Sequence, residues 1–355
     1  MPNINNVLKN NYHILINLLL ILSIYIGFFY DENITLGPKL DFEHALKQVA
    51  SFKESFTYTF LNYDKIENST RISPIFTSTI YFIDKLTNNT DITRFILLNI
   101  ILLNQIFFYK CLKLSSFKYN FGNKSLLLIS SSIYLSPSFR ANSIWPESAM
   151  LGLLFFVISL YFFLKFIKNQ NIKYVLLNIF FLAIASYIRP SFSVFVIYFT
   201  YKFFLHYYNK EKFVRNFLLI IFLNVILSIP AFYYVFILDV FFIEYGGLSS
   251  NYFNKISIIS TIIFFHFIPF YYLFYSNLKL KIKSDFKILI LVFISSIFII
   301  QNFNYDLNLA GGGIALHASN FVLNDNLIFY IFYIISAFLI LKVILLDKLN
   351  NFLIF

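Results

Sequence analysis

The fold class is decided by residues 12–30, which read YHILINLLLILSIYIGFFY. A bilayer core of about 30 Å needs about 20 apolar residues per helix, and this run has that length. It leads directly into the acidic residues Asp31 and Glu32 and lacks a small-residue cleavage site. We therefore expect a retained membrane helix and not a signal peptide.

Similar apolar runs follow along the whole chain. Together they predict about ten spans, at 12–30, 92–110, 125–138, 147–168, 174–188, 191–208, 214–237, 256–276, 286–303 and 327–346. Hydrophobic residues make up 59% of the chain and charged residues 13%, which is too apolar for a soluble fold of this size. The predicted fold class is all-α, a polytopic transmembrane helical bundle that forms one integral membrane domain over residues 1–355.

The basic residues predict the orientation. Ten spans place both termini on one side, and assigning that side to the cytoplasm puts most of the 28 Lys and Arg residues in cytoplasmic segments. We expect a multi-pass protein of the plasma (inner) membrane with both termini cytoplasmic. The basic residues are short, scattered anchors, which excludes a nucleic-acid partner. The single cysteine, Cys111, excludes an internal disulfide and a Cys-based metal cluster.

The first outer loop, residues 31–72, is the longest hydrophilic segment and is rich in acids. Its pattern predicts an amphipathic helix on the membrane surface, beginning at Asp41. The apolar positions are Phe42, Ala45, Leu46, Val49, Phe52 and Phe56, and the polar positions opposite are Glu43, Lys47, Gln48, Ser51 and Glu54. The next apolar stretch, 73–87, is short and carries two charges, so we interpret it as an interfacial or re-entrant piece.

Acidic residues of this loop are candidate catalytic groups. Asp41 follows Gly37 and Pro38, so it is either the N-cap of the surface helix or a catalytic acid. Glu43 and His44 lie beside it and are candidates for the same site, with plain surface exposure as the alternative for both. Asp31 and Glu32 are explained equally well as the solvated end of the first span.

Three charged residues of later outer segments are further candidates. Glu147 follows Trp145 and Pro146 at the start of a span, where an acid either complements the helix dipole or faces a cavity. Arg140 and Arg189 depart from the positive-inside pattern. A guanidinium at such a place binds phosphate in bidentate fashion, or it snorkels or pairs with Glu147.

The last outer loop, residues 304–326, contains Gly311-Gly312-Gly313 and then His317. Three glycines allow a backbone to approach a ligand closely, and a plain flexible loop explains them equally well. His317 is a candidate ligand contact or proton carrier, and the alternative is that it has neither role.

The order of these features resembles the GT-C-type membrane glycosyltransferases, the class of the protein mannosyltransferases and lipid A aminoarabinose transferases. The resemblance covers about residues 12–210. It rests on Leu40-Asp41-Phe42-Glu43-His44-Ala45, on the stretch Tyr58 to Tyr63, on Ile72-Ser73-Pro74-Ile75-Phe76, on Pro146-Glu147, and on Ala185-Ser186-Tyr187-Ile188-Arg189-Pro190. Phe42 separates the two acids that are adjacent in many members, and an adjacent pair stands instead at Asp31-Glu32.

The resemblance implies an enzyme that transfers a sugar from a polyprenyl-phosphate donor to a glycan, lipid or protein acceptor, with inversion. It implies Asp41 as the general base, with Asp31 or Glu32 as alternatives, and Arg189 or Arg140 as the cation that stabilises the departing phosphate. Glu147 would orient the acceptor or, with Asp41, help to hold a divalent metal ion. No cofactor beyond that metal is implied.

Three other function classes stay open. A lipid-linked oligosaccharide flippase or transporter would use the same lipid substrate, although ion-coupled carriers usually place ionisable residues near the midplane, where only His266 is found here. A polysaccharide polymerase or ligase tends to have its large loop late in the chain, whereas here it comes first. A purely structural membrane subunit is a third reading.

Overall fold

The structure is a computed structural model that describes residues 4–33, 37–67, 69, 72–115, 122–211, 213–238, 256, 259–260, 282–302 and 327–346. These residues form helices and turns and no strands. The helices are α1 (Ile4–Phe29), α2 (Gly37–Glu54), α3 (Phe56–Leu61), α4 (Pro74–Thr87), α5 (Thr90–Ser115), α6 (Asn123–Ser131), α7 (Pro137–Ile144), α8 (Ser148–Asn169), α9 (Ile172–Ile188), α10 (Phe195–Tyr207), α11 (Phe213–Phe232), α12 (Ile282–Asn302) and α13 (Leu327–Leu346).

Four helical segments in the described part of the chain are long and apolar enough to cross a bilayer. They are Asn11–Phe29, Thr90–Ser115, Ser148–Asn169 and Phe213–Ile237. They indicate a membrane protein and agree with four of the predicted spans. The count of ten spans is not confirmed, and most of the predicted span 256–276 lies outside the described residues.

Two predicted spans are interrupted. The segment 125–138 divides into α6, a 3₁₀ turn at Ser132–Leu135 and the start of α7. The break has a local cause, since Pro137 lacks the backbone N–H that would continue a helix, and the Ser136 hydroxyl caps α7 by accepting from Phe139 N at 3.4 Å. The segment 191–208 likewise begins as a 3₁₀ turn, Pro190–Val194, before α10.

The helix predicted in the first outer loop exists but begins four residues before the expected position. α2 starts at Gly37, so Pro38 occupies its first turn and Asp41 lies inside the helix. The prediction that Asp41 sits at the N-cap position is therefore wrong. The apolar face is as predicted at Phe42, Ala45, Val49 and Phe52, which are all buried.

One residue of the predicted polar face of α2 is buried. Gln48 is 1% exposed, and its amide joins a polar network between α2, α4 and the loop between α3 and α4. Gln48 Nε2 donates to Glu67 O at 3.0 Å, and Thr77 Oγ1 of α4 donates to Gln48 Oε1 at 2.8 Å. The hydroxyl of Tyr63 lies 2.7 Å from the same Oε1 and 2.8 Å from Ile72 O. Burial raises the pKa of Tyr63 above its ordinary value and keeps the phenol protonated.

Removing the Tyr63 hydroxyl tests how strongly this network holds α2 to α4. We expect Tyr63→Phe to lower the free energy of unfolding by about 1–3 kcal/mol, because buried acceptors lose their donor. The measurement is thermal unfolding of the detergent-purified protein. Tyr58→Phe is the matched control, since Tyr58 is 60% exposed. Equal stability of the two variants would contradict a structural role for the network.

Several helices of the first 247 residues have ends that contact one another. The segment after α1 contacts both the start of α5 and the corner between α7 and α8, through the ion pairs Asp31–Arg94 and Glu32–Arg140. The start of α8 faces the end of α9 through Glu147 and Arg189. The start of α4 joins the same end, because the hydroxyl of Ser73 donates to Tyr187 O. These loops are the ones that the sequence assigns to a common side.

The chain divides into two compact units, residues 1–247 and 248–355. The prediction of a single membrane domain stays a prediction. In the second unit, α12 packs on α13. A buried ion pair joins the two helices, with Lys342 Nζ at 2.7 Å from Asp285 Oδ2, and the hydroxyl of Tyr333 lies 2.9 Å from Ser295 Oγ.

Candidate functional site

Three of the predicted site residues come together in the first unit. Asp41 is on α2, Glu147 precedes α8 and Arg189 follows α9. We call these three residues the acid–guanidinium cluster. They come from distant parts of the chain, and each stands at or near an end of its helix.

Arg189 is the cationic member of the cluster. It is the C-cap of α9, and its backbone N–H still donates to Ala185 O at 2.8 Å, so the end of the helix fixes its backbone. Its Nη1 lies 4.0 Å from Glu147 Oε1, and its side chain is 44% exposed. A guanidinium held this loosely by one carboxylate has donors left over for a phosphate.

A glycine on α8 makes room for Arg189. A Cβ on Gly152 would stand 3.1 Å from Arg189 Cβ and 3.1 Å from the ring of Phe192. Both contacts are tighter than ordinary van der Waals separations. The 3₁₀ turn after Arg189 can therefore rest directly on the backbone of α8.

Glu147 is the N-cap residue of α8, in extended conformation, and its side chain makes no capping hydrogen bond. The backbone carbonyl of Glu147 accepts the first hydrogen bonds of the helix, from Met150 N at 3.1 Å and Leu151 N at 3.4 Å. The helix dipole explains why an acid stands at this position. The carboxylate itself, however, makes no capping hydrogen bond. That carboxylate is 20% exposed and faces Arg189.

The electrostatics of Glu147 bring Asp41 into the same cluster. Burial raises the pKa of Glu147, the positive charge of Arg189 opposes the rise, and the negative charge of Asp41 adds to it. Asp41 is therefore close enough for its charge to act on Glu147. A carboxyl with a raised pKa beside a second acid and a guanidinium is suited to donate a proton or a hydrogen bond.

The other α2 candidates lie beside Asp41. Glu43 is exposed and His44 is half-buried on the same helix. His44 takes part in contacts of its own. Neither residue appears among the groups that shift the pKa of Glu147.

Arg140 is engaged elsewhere. Its Nε donates to Glu32 Oε1 at 2.7 Å, its Nη2 donates to Glu32 Oε2, and its Nη1 donates to Ser23 Oγ at 3.0 Å. All three guanidinium nitrogens thus have partners within the protein. The same pairing lowers the pKa of Glu32, chiefly through the hydrogen bond from Arg140. Arg189 is consequently the predicted phosphate ligand that stays accessible, and Glu32 is committed to Arg140.

One buried cation near the cluster was missed by sequence reasoning. Arg94, near the start of α5, is 5% exposed and pairs with Asp31 at 2.5 Å. Its guanidinium lies 4.1 Å from the ring centroid of Trp145 and 4.4 Å from that of Phe28. Its Nε has no hydrogen-bond partner among the described residues. The available signal was an arginine within an apolar span, which is costly unless it is paired.

The predicted divalent metal ion has few ligands here. Asp41 and Glu147 supply two carboxylates, but no group of three or more His, Cys, Asp or Glu side chains forms around a common point within the described ranges. Most Ca²⁺ sites need six or more oxygen ligands. The residues in place therefore do not form a complete metal site, and we route no chemical step through a metal.

An apolar cavity of about 400 Å³ lies next to the cluster. Tyr187 and Pro190, on either side of Arg189 in the chain, both line it. Its walls come from α3, α4, α9, α10, α11 and the turns that follow α9 and α11, and most of the lining is apolar. Pro74, at the start of α4, also contributes. The cavity suits a hydrocarbon chain whose charged end reaches Arg189.

The remaining candidates cannot be placed. His317, the Gly311–Gly313 run and His266 lie outside the described residues. Their assignment stays a prediction from sequence.

No family model, curated protein or solved structure matches this chain.

Proposed function

We propose that this protein is a membrane glycosyltransferase of the GT-C type, which transfers a sugar from a polyprenyl-phosphate donor to an acceptor hydroxyl. The observation that carries the proposal is the acid–guanidinium cluster beside an apolar cavity. A carboxylate, a second carboxyl with a raised pKa and an accessible guanidinium are the groups that such a transfer needs.

The donor lipid is amphipathic, and the site has an apolar part and a charged part to match it. The apolar cavity accepts the first part of the polyprenyl chain, and Arg189, whose chain neighbours Tyr187 and Pro190 line the cavity, binds the phosphate. The sugar then lies on the far side of the phosphate from the cavity, in reach of Asp41 and Glu147. The sequence-derived topology, with ten spans and both termini in the cytoplasm, places this site on the outer face of the plasma (inner) membrane.

The reaction uses Asp41 as the general base. Asp41 takes the proton of the acceptor hydroxyl as that oxygen attacks the anomeric carbon of the sugar. The bond from the anomeric carbon to the phosphate oxygen breaks, and the polyprenyl phosphate leaves with the bonding electron pair. Attack from the face opposite the leaving group inverts the configuration. Arg189 stabilises the charge on the departing phosphate.

Glu147 orients the acceptor. Its raised pKa favours the protonated carboxyl, and such a group can donate a hydrogen bond to the acceptor or the sugar. A glycan, a lipid or a protein could supply the acceptor hydroxyl.

Binding of the sugar-free leaving group tests the donor class. Polyprenyl phosphate and the phosphate-free polyprenol are compared as ligands of the purified protein in lipid nanodiscs. We expect Arg189→Gln to weaken polyprenyl phosphate binding about 10- to 100-fold, the range of one charge-assisted hydrogen-bonded contact, and to leave polyprenol binding unchanged.

Arg215→Gln is the matched control, because Arg215 is exposed on α11. Equal affinity for the two lipids, or equal effects of the two arginine changes, would remove the support for a phosphate-linked donor. Tight phosphate-dependent binding without any transfer would favour the flippase alternative.

A further inference from the structure

Glu32, the second of the adjacent acids after α1, binds both α7 and the corner between α7 and α8. Glu32 holds Arg140 of α7 with its carboxylate and accepts from Trp145 Nε1 at 3.0 Å with its backbone carbonyl. Its own N–H donates to Gly27 O at 2.9 Å, which ties it to the last turn of α1. One residue therefore binds both the helix before Glu147 and the tryptophan two residues before it.

Gly27 leaves room for this arrangement. A Cβ on Gly27 would stand 2.6 Å from Arg140 Nη2 and 2.7 Å from Ile144 Cδ1, and closer still to Glu32 Oε2. Real Cβ atoms do not approach other atoms this closely, so a side chain at residue 27 requires the tips of the Glu32, Arg140 and Ile144 side chains to shift. The ion pair is packed against bare helix backbone.

Trp145 connects this corner to the helix that carries Asp41. Its ring centroid lies 6.3 Å from that of Phe42 and 5.0 Å from Lys39 Nζ, and both residues are on α2 within two positions of Asp41. The same ring receives the guanidinium of Arg94 at 4.1 Å, and Arg94 is held by Asp31. The indole thus lies between the backbone that leads to Glu147 and the α2 residues around Asp41.

We propose that Asp31 and Glu32 are positioning residues which, through Arg94, Arg140 and Trp145, set the separation of the Asp41 and Glu147 carboxylates. This inference rests on the proposed function and deepens it. The adjacent acids then have a role distinct from proton transfer. Asp41 is left as the acid of the first loop that shares a site with Glu147.

This role gives a reason for the two ion pairs that Asp31 and Glu32 form. A partly buried arginine–carboxylate pair with two parallel hydrogen bonds has one preferred geometry, so it constrains direction as well as distance. A stacked and paired Arg94 does the same for the plane of the indole. Together they leave the corner between α7 and α8 little freedom to move relative to α2.

A crosslinking measurement tests the inference without a known substrate. Cysteines replace Asp41 and Glu147 in a Cys111→Ala background, and the purified protein reacts with bifunctional methanethiosulfonates of graded spacer length. The readout is the yield of intramolecular crosslink for each spacer, measured by mass spectrometry on the monodisperse fraction. A residue that only stabilises the fold would change the amount of this fraction but not its spacer preference.

We expect the parent pair and the Gly37→Ala control to prefer the same short spacer, since a Cβ at Gly37 meets nothing within 4 Å. In Gly27→Ala the yield with that spacer should fall about tenfold and longer spacers should gain, as expected when one charge-assisted pair is lost. Trp145→Phe, which keeps a ring but loses the N–H, is the milder second variant in case Gly27→Ala does not fold. It should shift the preference in the same direction.

The outcomes separate the two proposals. If the parent pair does not crosslink, Asp41 and Glu147 are not neighbours and the proposed function loses its site. If the parent crosslinks and both Gly27→Ala and Trp145→Phe keep its spacer preference, the positioning role is wrong while the catalytic proposal stands.

Discussion

Asp41→Asn is expected to reduce sugar transfer by about 10²- to 10⁴-fold, the usual contribution of a general base. Asparagine keeps the size and the polar character of the side chain but cannot accept the proton of the acceptor hydroxyl. The rate is measured as release of polyprenyl phosphate from lipid-linked sugars extracted from host membranes, with purified enzyme in vesicles. Thermal stability should stay close to that of the parent, since Asp41 is half-buried within α2 and does not cap the helix.

Glu54→Gln is the matched control for this change. It replaces an exposed acid by its amide in the last turn of the same helix, thirteen positions from Asp41, and should leave the transfer rate within about twofold, because surface substitutions away from special features have effects within about 0.5 kcal/mol. Unchanged turnover in Asp41→Asn would move the base to another residue. The first alternatives would then be Asp31 and Glu32, which the structure pairs with arginines.

The second large effect is a contrast between two acids of the same region. Glu32→Gln should lower the free energy of unfolding at neutral pH by about 1.5–3 kcal/mol, the range for hydrogen bonds to charged groups. Glu147→Gln should leave stability at neutral pH unchanged or raise it, while it lowers transfer. Both are acid-to-amide changes near Trp145, so their difference isolates the environment of each carboxyl.

The pH dependence follows from the direction of each pKa shift. The pKa of Glu32 is lowered, so its stabilising contribution is present above the ordinary carboxyl pKa and is lost as the pH falls through the lowered value. The pKa of Glu147 is raised, so the stability cost of ionising it builds up as the pH rises from the ordinary carboxyl pKa to the raised one. Above the raised pKa the full cost remains. Thermal unfolding between about pH 3 and 8 measures both. Equal destabilisation by the two amides at neutral pH would identify Glu147 as a structural residue.

The long helices are predictable because length and hydropathy are sufficient for them. α1, α5, α8 and α11 correspond to uninterrupted apolar runs, which no other local structure satisfies as well in a membrane. The breaks are harder to predict. A proline after a serine, as at Ser136-Pro137, starts a new helix within a predicted span that already contains several serines.

The start of α2 shows a different limit. Gly37 and Pro38 indicate a turn before the helix and also suit its first turn, and only the structure separates the two readings. Gln48 is a similar case. Its burial depends on Tyr63 and Thr77, which lie outside α2, so the helical pattern alone places it on the polar face.

The members of the acid–guanidinium cluster were predicted, and so was a possible pairing of Arg189 with Glu147, but the partner of Arg140 was not. Arg140 and Arg189 have similar sequence contexts, each near a helix end in an outer segment. What distinguishes them is Glu32, 108 residues before Arg140, whose position depends on the packing of α1 against α7. Ion pairs over such separations depend on tertiary structure, and no local pattern in the sequence encodes them.

Gly152 has a mechanical consequence for the cluster. Glu147 begins α8, and the surface on which Arg189 rests is the backbone of the same helix about one turn further along. A tilt of α8 would therefore move Glu147 and the Gly152 backbone beneath Arg189 together, as one rigid body. The spacing between those two groups would stay constant, and only their approach to Asp41 would open or close.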